Sequence, residues 1–136
     1  MDGVCNWPKG RTLGGTSVIN YLLYHRGHQD DYNLWAKLGN TGWAFDDVLP
    51  YFRKSERVGI EELKNSKFRG TKGYLDVQHA PYTTELLKGF FEVAHEMGYP
   101  QNDPNGEKLL GFSQVQATMR NGRRRSGSFI WHYSID

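Results

Sequence analysis

Apolar residues recur at helical spacing in several stretches of this chain and alternate in others. Leu34, Trp35 and Leu38 share one face of a helix opened by Asp30 or Asp31 and stopped by Gly39. Val48, Leu49 and Phe52 stripe a second helix, from Asp46 or Asp47 to about Arg57. Pro50 then falls in or beside the first turn, where a missing N–H does least harm. The clearest pattern is Leu86, Leu87, Phe90, Val93, Ala94 and Met97, capped by Thr83 or Thr84 and closed by Gly98. It predicts an amphipathic helix packed into a core. A shorter helix is predicted from a cap at Thr16 or Ser17 through Val18, Ile19, Leu22 and Leu23, with Gly27 ending that element.

Tyr74 to Ala80 alternates with Leu75 and Val77 on one side, which reads as a strand. Residues 111–120 read as another, and Asn121-Gly122 after it invites a tight turn. Residues 59–73 are polar and punctuated by glycine, a surface loop, and residues 1–9 read as extended or irregular.

Composition narrows the picture. Leu, Ile, Val and Phe make up about 22% of the 136 residues, barely above the ~20% below which a core is hard to build. Glycine is enriched, with 16 residues where an average of ~7% would give about ten. Such a chain looks like a piece of something larger. The formal charge of +2 dictates neither a nucleic-acid nor a membrane partner. No apolar run is long enough for a membrane span, and the first residues lack the pattern of a secretory signal. A single cysteine, Cys5, excludes an internal disulfide framework and a cysteine zinc cluster.

The most informative stretch is Gly10-x-x-Leu13-Gly14-Gly15-Thr16-Ser17-x-Ile19-Asn20. Paired glycines let backbone approach a flat or anionic ligand with no Cβ in the way. A hydroxyl-capped helix start behind them would turn free N–H groups outward. The same letters also describe an ordinary turn, and they match neither G-x-G-x-x-G nor a lysine-bearing phosphate loop. Asn20 sits among apolar residues; leaving its amide buried and unpaired would cost on the order of 1–3 kcal/mol, so it needs a specific partner. Elsewhere the signals are weaker. His25-x-x-His28 has metal-ligand spacing without a third ligand and reads as a solvated surface pair. Arg123-Arg124-Arg125 could touch phosphate but reads more simply as a solvated turn, and Ser17 reads as a cap rather than a nucleophile.

Trp7-Pro-Lys-Gly-Arg-Thr-Leu-Gly-Gly-Thr-Ser-Val-Ile-Asn20, continuing through Tyr24-His-Arg-Gly27 to Asp31-Tyr-Asn33, resembles the first signature of the glucose–methanol–choline (GMC) flavoprotein oxidoreductases. The likeness runs on through Gly42-Trp43, Asp46 to Glu56, Gly73 to Val77, Asn105-Gly106, Gly111-Phe112 and Arg120-Asn-Gly122. It covers about residues 5–126 and points to the FAD glucose dehydrogenase-like branch. The resemblance implies an α+β fragment of an α/β FAD-binding fold, with short helices and a few strands from the start of the substrate-binding domain. Residues 1–58 would be the flavin-contacting loop and lid segment. Residues 59–136 would start the substrate-binding part, with an atypical end from about 126. Thr12, Gly14, Gly15, Thr16, Ser17, Asn20, Tyr21, Leu22 and Leu23 would line FAD. Some relatives attach FAD covalently through a histidine at the place of Ile19, so the resemblance implies non-covalent FAD here. It also implies oxidation of an alcohol or sugar CH–OH by hydride transfer to flavin. The family's dinucleotide fingerprint and its catalytic histidine have no counterpart in this sequence. An internal fragment, inactive by itself, is therefore expected, with no catalytic and no metal-binding residue. The competing reading is a small non-catalytic α+β module that holds an anionic partner on its basic 120–125 turn.

Overall fold

The computed structural model describes residues 3–132. Helix α1 spans Gln29–Lys37 and α2 spans Phe45–Ser55. His28, not an aspartate, caps α1: its Nδ1 accepts the Asp30 N–H at 3.3 Å, while Asp31 Oδ2 accepts the His28 N–H at 2.8 Å. The predicted surface pair of histidines is thus half taken up in capping. Asn33 Oδ1 accepts the Phe45 N–H at 3.0 Å and ties α1 to α2. Tyr32, Trp35, Trp43, Phe45 and Phe52 pack edge to face or tilted between these helices. Because α2 starts at Phe45, Pro50 lies in its second turn rather than its first.

Strands β1 (Glu56–Val58) and β2 (Leu75–His79) pair in parallel, and β3 (Gln116–Ala117) joins β2 antiparallel, giving the order β1-β2-β3. β1 takes the place of the last turn expected of α2. Val58 N–H donates to Gly70 O at 2.7 Å and Gly73 N–H to Glu56 O at 2.8 Å, so these groups bond across to residues 70–73. That pairing also buries Ile60, Arg69, Gly70 and Gly73, all within the stretch expected to be surface loop. Helix α3 spans Glu85–Glu96, with Thr84 Oγ1 accepting the Leu87 N–H at 3.2 Å. Residues 111–120 form two short pieces rather than one strand: β3, and β4 (Met119–Arg120), which makes a hairpin with β5 (Arg123–Arg124). The hairpin turn is the expected Asn121-Gly122, with φ of 51° and 73°, the double positive φ that a type I′ turn requires. Helix α4, Gly127–His132, ends the described chain; the rest of the atypical end, residues 133–136, lies outside the described residues.

The short helix expected over residues 16–23 does not form. A single three-ten turn covers Gly15–Val18, Leu22 takes a φ of 66°, and Leu23 bridges Ala117. Thr118 N–H donates to Leu22 O at 2.8 Å and Tyr24 N–H to Gln116 O at 2.9 Å. Those long-range bonds hold residues 22–24 against β3 and Thr118 and override the local apolar spacing.

The interior is unusual in content. Phe45, Val58, Ile60, Val77, Ala94, Ala117 and Met119 are buried, but so are Arg26, Glu56, Arg69, Asp76, Asn105, Gln116 and Ser126. Half of the buried centre is therefore polar. Glu56 Oε2 accepts from Arg26 Nη2 at 2.5 Å, from the Gly70 N–H at 2.8 Å and from Arg69 Nε at 3.3 Å, and Oε1 accepts from Arg69 Nη2. Arg69 Nη1 also reaches Asp103 at 2.9 Å and Gln116 at 2.8 Å. Among the described residues no buried side-chain polar atom lacks a partner, which such a centre demands.

The helix with the clearest stripe does not bury it. On α3 only Ala94 is buried; Leu86 is 82% exposed, and Phe90, Val93 and Met97 are more than half exposed. Phe90 instead meets Phe112 at 5.2 Å. The stripe expected to be core is an open apolar face. Accessible surface totals 10421 Å², against roughly 7,300 Å² for a compact monomer of this mass. We expect the isolated 136-residue chain to bind a hydrophobic dye strongly and to melt without a cooperative transition. A sharp two-state melt would contradict this.

Candidate functional site

The glycine loop closes on itself. Gly15 N–H donates to Thr12 O at 2.8 Å and Gly10 N–H to Thr16 Oγ1 at 3.2 Å. A Cβ on Gly10 would lie 2.4 Å from Gly15 O, so only glycine permits this approach. Ser17 is not a helix cap. Its Oγ donates to Gly14 O at 2.5 Å and accepts the Gly127 N–H at 2.7 Å, fastening the loop to the start of α4. Gly14 has a φ of 93°, and a Cβ there would meet Ser128 N at 3.0 Å. Gly15 differs. Its φ is 54°, and apart from its own neighbours along the chain no described atom lies within 4 Å of the place a Cβ would occupy. Its open side is a surface that backbone alone presents.

Asn20 departs from expectation, being exposed rather than enclosed by apolar neighbours. Its side-chain oxygen accepts the Leu22 N–H at 3.1 Å and Arg124 Nη1 at 2.6 Å. Around it Leu13, Ile19, Tyr21 and Leu23 are also exposed, Tyr21 at 92%. The reason is that the expected helix is replaced by one three-ten turn, a bend at Asn20 and a left-handed Leu22, so these side chains do not stack on a helix. Glycine backbone, a polar amide and a rim of exposed apolar side chains make the chemistry that a flat ring with a polar edge fits. The residues present therefore suit a flavin.

A second ring of residues sets this geometry from far along the sequence. Arg124 Nη1 donates to Ser17 O at 3.1 Å as well as to Asn20. Asn105 Oδ1 accepts the Arg26 N–H at 2.8 Å, and its Nδ2 donates to Tyr24 O at 3.2 Å. Burial raises the Tyr24 phenol above its ordinary range, only partly offset by the adjacent Arg26 cation, whose Nε donates to Tyr24 Oη at 3.0 Å. The basic turn is solvated only in part. Arg124 is spent on the loop, and Arg125 Nε donates to Asp76 Oδ2 at 2.8 Å beneath Phe129, which leaves Arg123 exposed. Two of the four arginines in 120–125 are thus committed to internal partners, while Arg120 and Arg123 stay exposed. The sequence marked Asn105 and the Arg120-Asn-Gly122 turn only as parts of a pattern and Arg124 only as one of a basic turn, and it assigned nothing to Gln116, Thr118 or Ser128.

The fold is that of FAD-dependent oxidoreductases. It superposes on pyridoxine 4-oxidase from Mesorbium loti with a TM-score of 0.81 and 28% identity, covering 93% of this chain and 25% of that one. An FAD-dependent oxidoreductase from Chaetomium thermophilum gives 0.73 at 30% identity, covering 82% and 21%. Residues 2–132 match the GMC oxidoreductase family model, and the chain belongs to that family. It is 41% identical over 129 residues to glucose dehydrogenase [FAD, quinone] of Drosophila melanogaster, covering 94% of this chain and 20% of the relative. It is 42% identical over 123 residues to oxygen-dependent choline dehydrogenase of Rhizobium etli, covering 89% and 22%. The chain thus spans about a fifth of the length of the curated relatives it matches. No helix among the described residues is long and apolar enough to cross a membrane.

Proposed function

We propose that this chain supplies the flavin-contacting loop of an FAD-dependent dehydrogenase or oxidase acting on the CH–OH group of an alcohol or sugar. The observation that carries this is the open side of Gly15 beside Asn20 and the exposed apolar rim, in a chain of this family. FAD, when bound, supplies a two-electron hydride acceptor. The residues here bind and orient it. Gly14 and Gly15 bring backbone close to the ring, Thr12 holds the loop closed through its carbonyl, and Thr16 and Ser17 brace it from within. Tyr21, Leu22 and Leu23 offer apolar cover, and Asn20 offers a polar contact at the ring edge. We assign residues 1–58 to this flavin segment and residues 59–136 to the start of the substrate-binding part, a boundary that falls at the end of β1.

Ile19, at the place where some relatives carry the histidine that bonds FAD, has no nucleophilic atom, which supports FAD held without a covalent bond. The intact protein should be yellow and should release its flavin into the supernatant on denaturation. Alcohol or sugar donors should bleach it in the absence of oxygen. Protein that purifies colourless and cannot be loaded with FAD would refute the reading; flavin that stays with denatured protein would refute its non-covalent part.

A further inference from the structure

We propose that Arg124 is a positioning residue for the flavin site, because it fixes which end of the Asn20 amide faces the ligand. This rests on the flavin reading of the loop and goes beyond it. An Asn side chain carries an acceptor oxygen and a donor NH₂, and the environment decides which points outward. At Asn20 both inward partners are donors without acceptor capacity: the Leu22 N–H at 3.1 Å and the Arg124 guanidinium at 2.6 Å. The oxygen must therefore face them, and both of its lone pairs are used. Among the described residues, the Asn20 NH₂ donates to nothing. The amide consequently offers its ligand N–H donors only, and it fits an acceptor, meaning a carbonyl oxygen or an unprotonated ring nitrogen.

Arg124 is itself held in place. It comes from β5, directly after the type I′ turn at Asn121-Gly122, and its Nη1 is anchored a second time on Ser17 O at 3.1 Å. One planar fork thereby connects the loop backbone, the Asn20 side chain and the hairpin, and it places a permanent cation behind the donor. A cation at that place polarises the amide N–H groups and favours electron-rich ligand edges. Lysine, a point charge with flexible donors, keeps the charge but not the planar geometry.

The test uses the intact FAD-loaded protein. Arg124→Met should weaken FAD binding on the order of tenfold, the worth of one hydrogen bond to a charged group, and move the flavin midpoint potential to more negative values. Arg124→Lys should recover most of the potential but only part of the affinity. On an Asn20→Leu background, Arg124→Met should add little, since the two act as one unit. If Asn20→Leu alters flavin affinity or potential while Arg124→Met alters neither, or if the two effects simply add, Arg124 does not position the amide and the inference falls. If neither substitution changes any flavin property, the flavin reading of Asn20 falls with it. Should Arg124→Met not fold, Arg124→Lys decides: wild-type affinity and potential together would overturn the proposal.

Discussion

Glu56→Ala is expected to be the most damaging single substitution in this chain, at about 3–5 kcal/mol of stability. The carboxylate is wholly buried and faces two guanidinium groups that are themselves almost entirely out of water. Removing it leaves Arg26 with no anion and Arg69 with only Asp103. The penalty is mostly that of buried, uncompensated charge rather than of one lost contact. It compares with a total stability of about 5–15 kcal/mol for ordinary domains. Glu56→Gln should fall between, since the amide can still accept from one arginine but carries no charge. Urea denaturation of the intact protein measures this. Glu61→Ala, which breaks only the exposed pair with Lys64, should leave the midpoint where it was. A loss below about 1 kcal/mol for Glu56→Ala would mean that water reaches the arginines.

The second large effect is on the cofactor. Gly15→Val should give protein that folds but does not retain flavin. A left-handed φ of 54° costs a residue with a Cβ about 1–2 kcal/mol, a tolerable loss. Among the described residues, chain neighbours aside, no atom lies within 4 Å of the added Cβ, so a larger loss of flavin is the result expected if a ligand shares its space. Gly15→Asn separates the two causes, because asparagine tolerates positive φ while still carrying a Cβ. Both variants should be colourless with near-normal folding, as judged by flavin absorbance and circular dichroism. Gly10→Ala should behave differently, losing flavin and loop together, since its Cβ runs into the Gly15 carbonyl. A yellow Gly15→Asn protein would remove Gly15 from the flavin site.

The local elements were readable because their causes are local. Thr84 and Gly98 bound α3, Gly39 stops α1, and Asn121-Gly122 makes its turn, each through chemistry contained in a few neighbouring residues. What failed did so for want of distant partners. Nothing in Val18 to Leu23 reveals that Gln116 and Thr118 will claim the backbone of residues 22–24 and unwind the expected helix. A polar, glycine-spaced segment does not announce that Arg69 will end up beside Glu56 in the interior. The stripe on α3 has true helical spacing, yet periodicity says only that a face is apolar, not that anything in this chain will cover it. The glycine loop itself was legible as a motif. Its brace at Arg124 was not, because one arginine among three carries no mark of which will turn inward.

The tie between Ser17 and Gly127 spans 110 positions, and that distance has a counterpart in time. At a synthesis rate of about 5–20 residues per second, the loop waits about 5–20 s for its fastening to emerge. During that interval residues 10–20 have their own turn bonds but neither α4 nor Arg124 behind them. The nascent chain therefore carries an unlatched glycine loop until residue 127 has emerged, however early the glycines themselves appear.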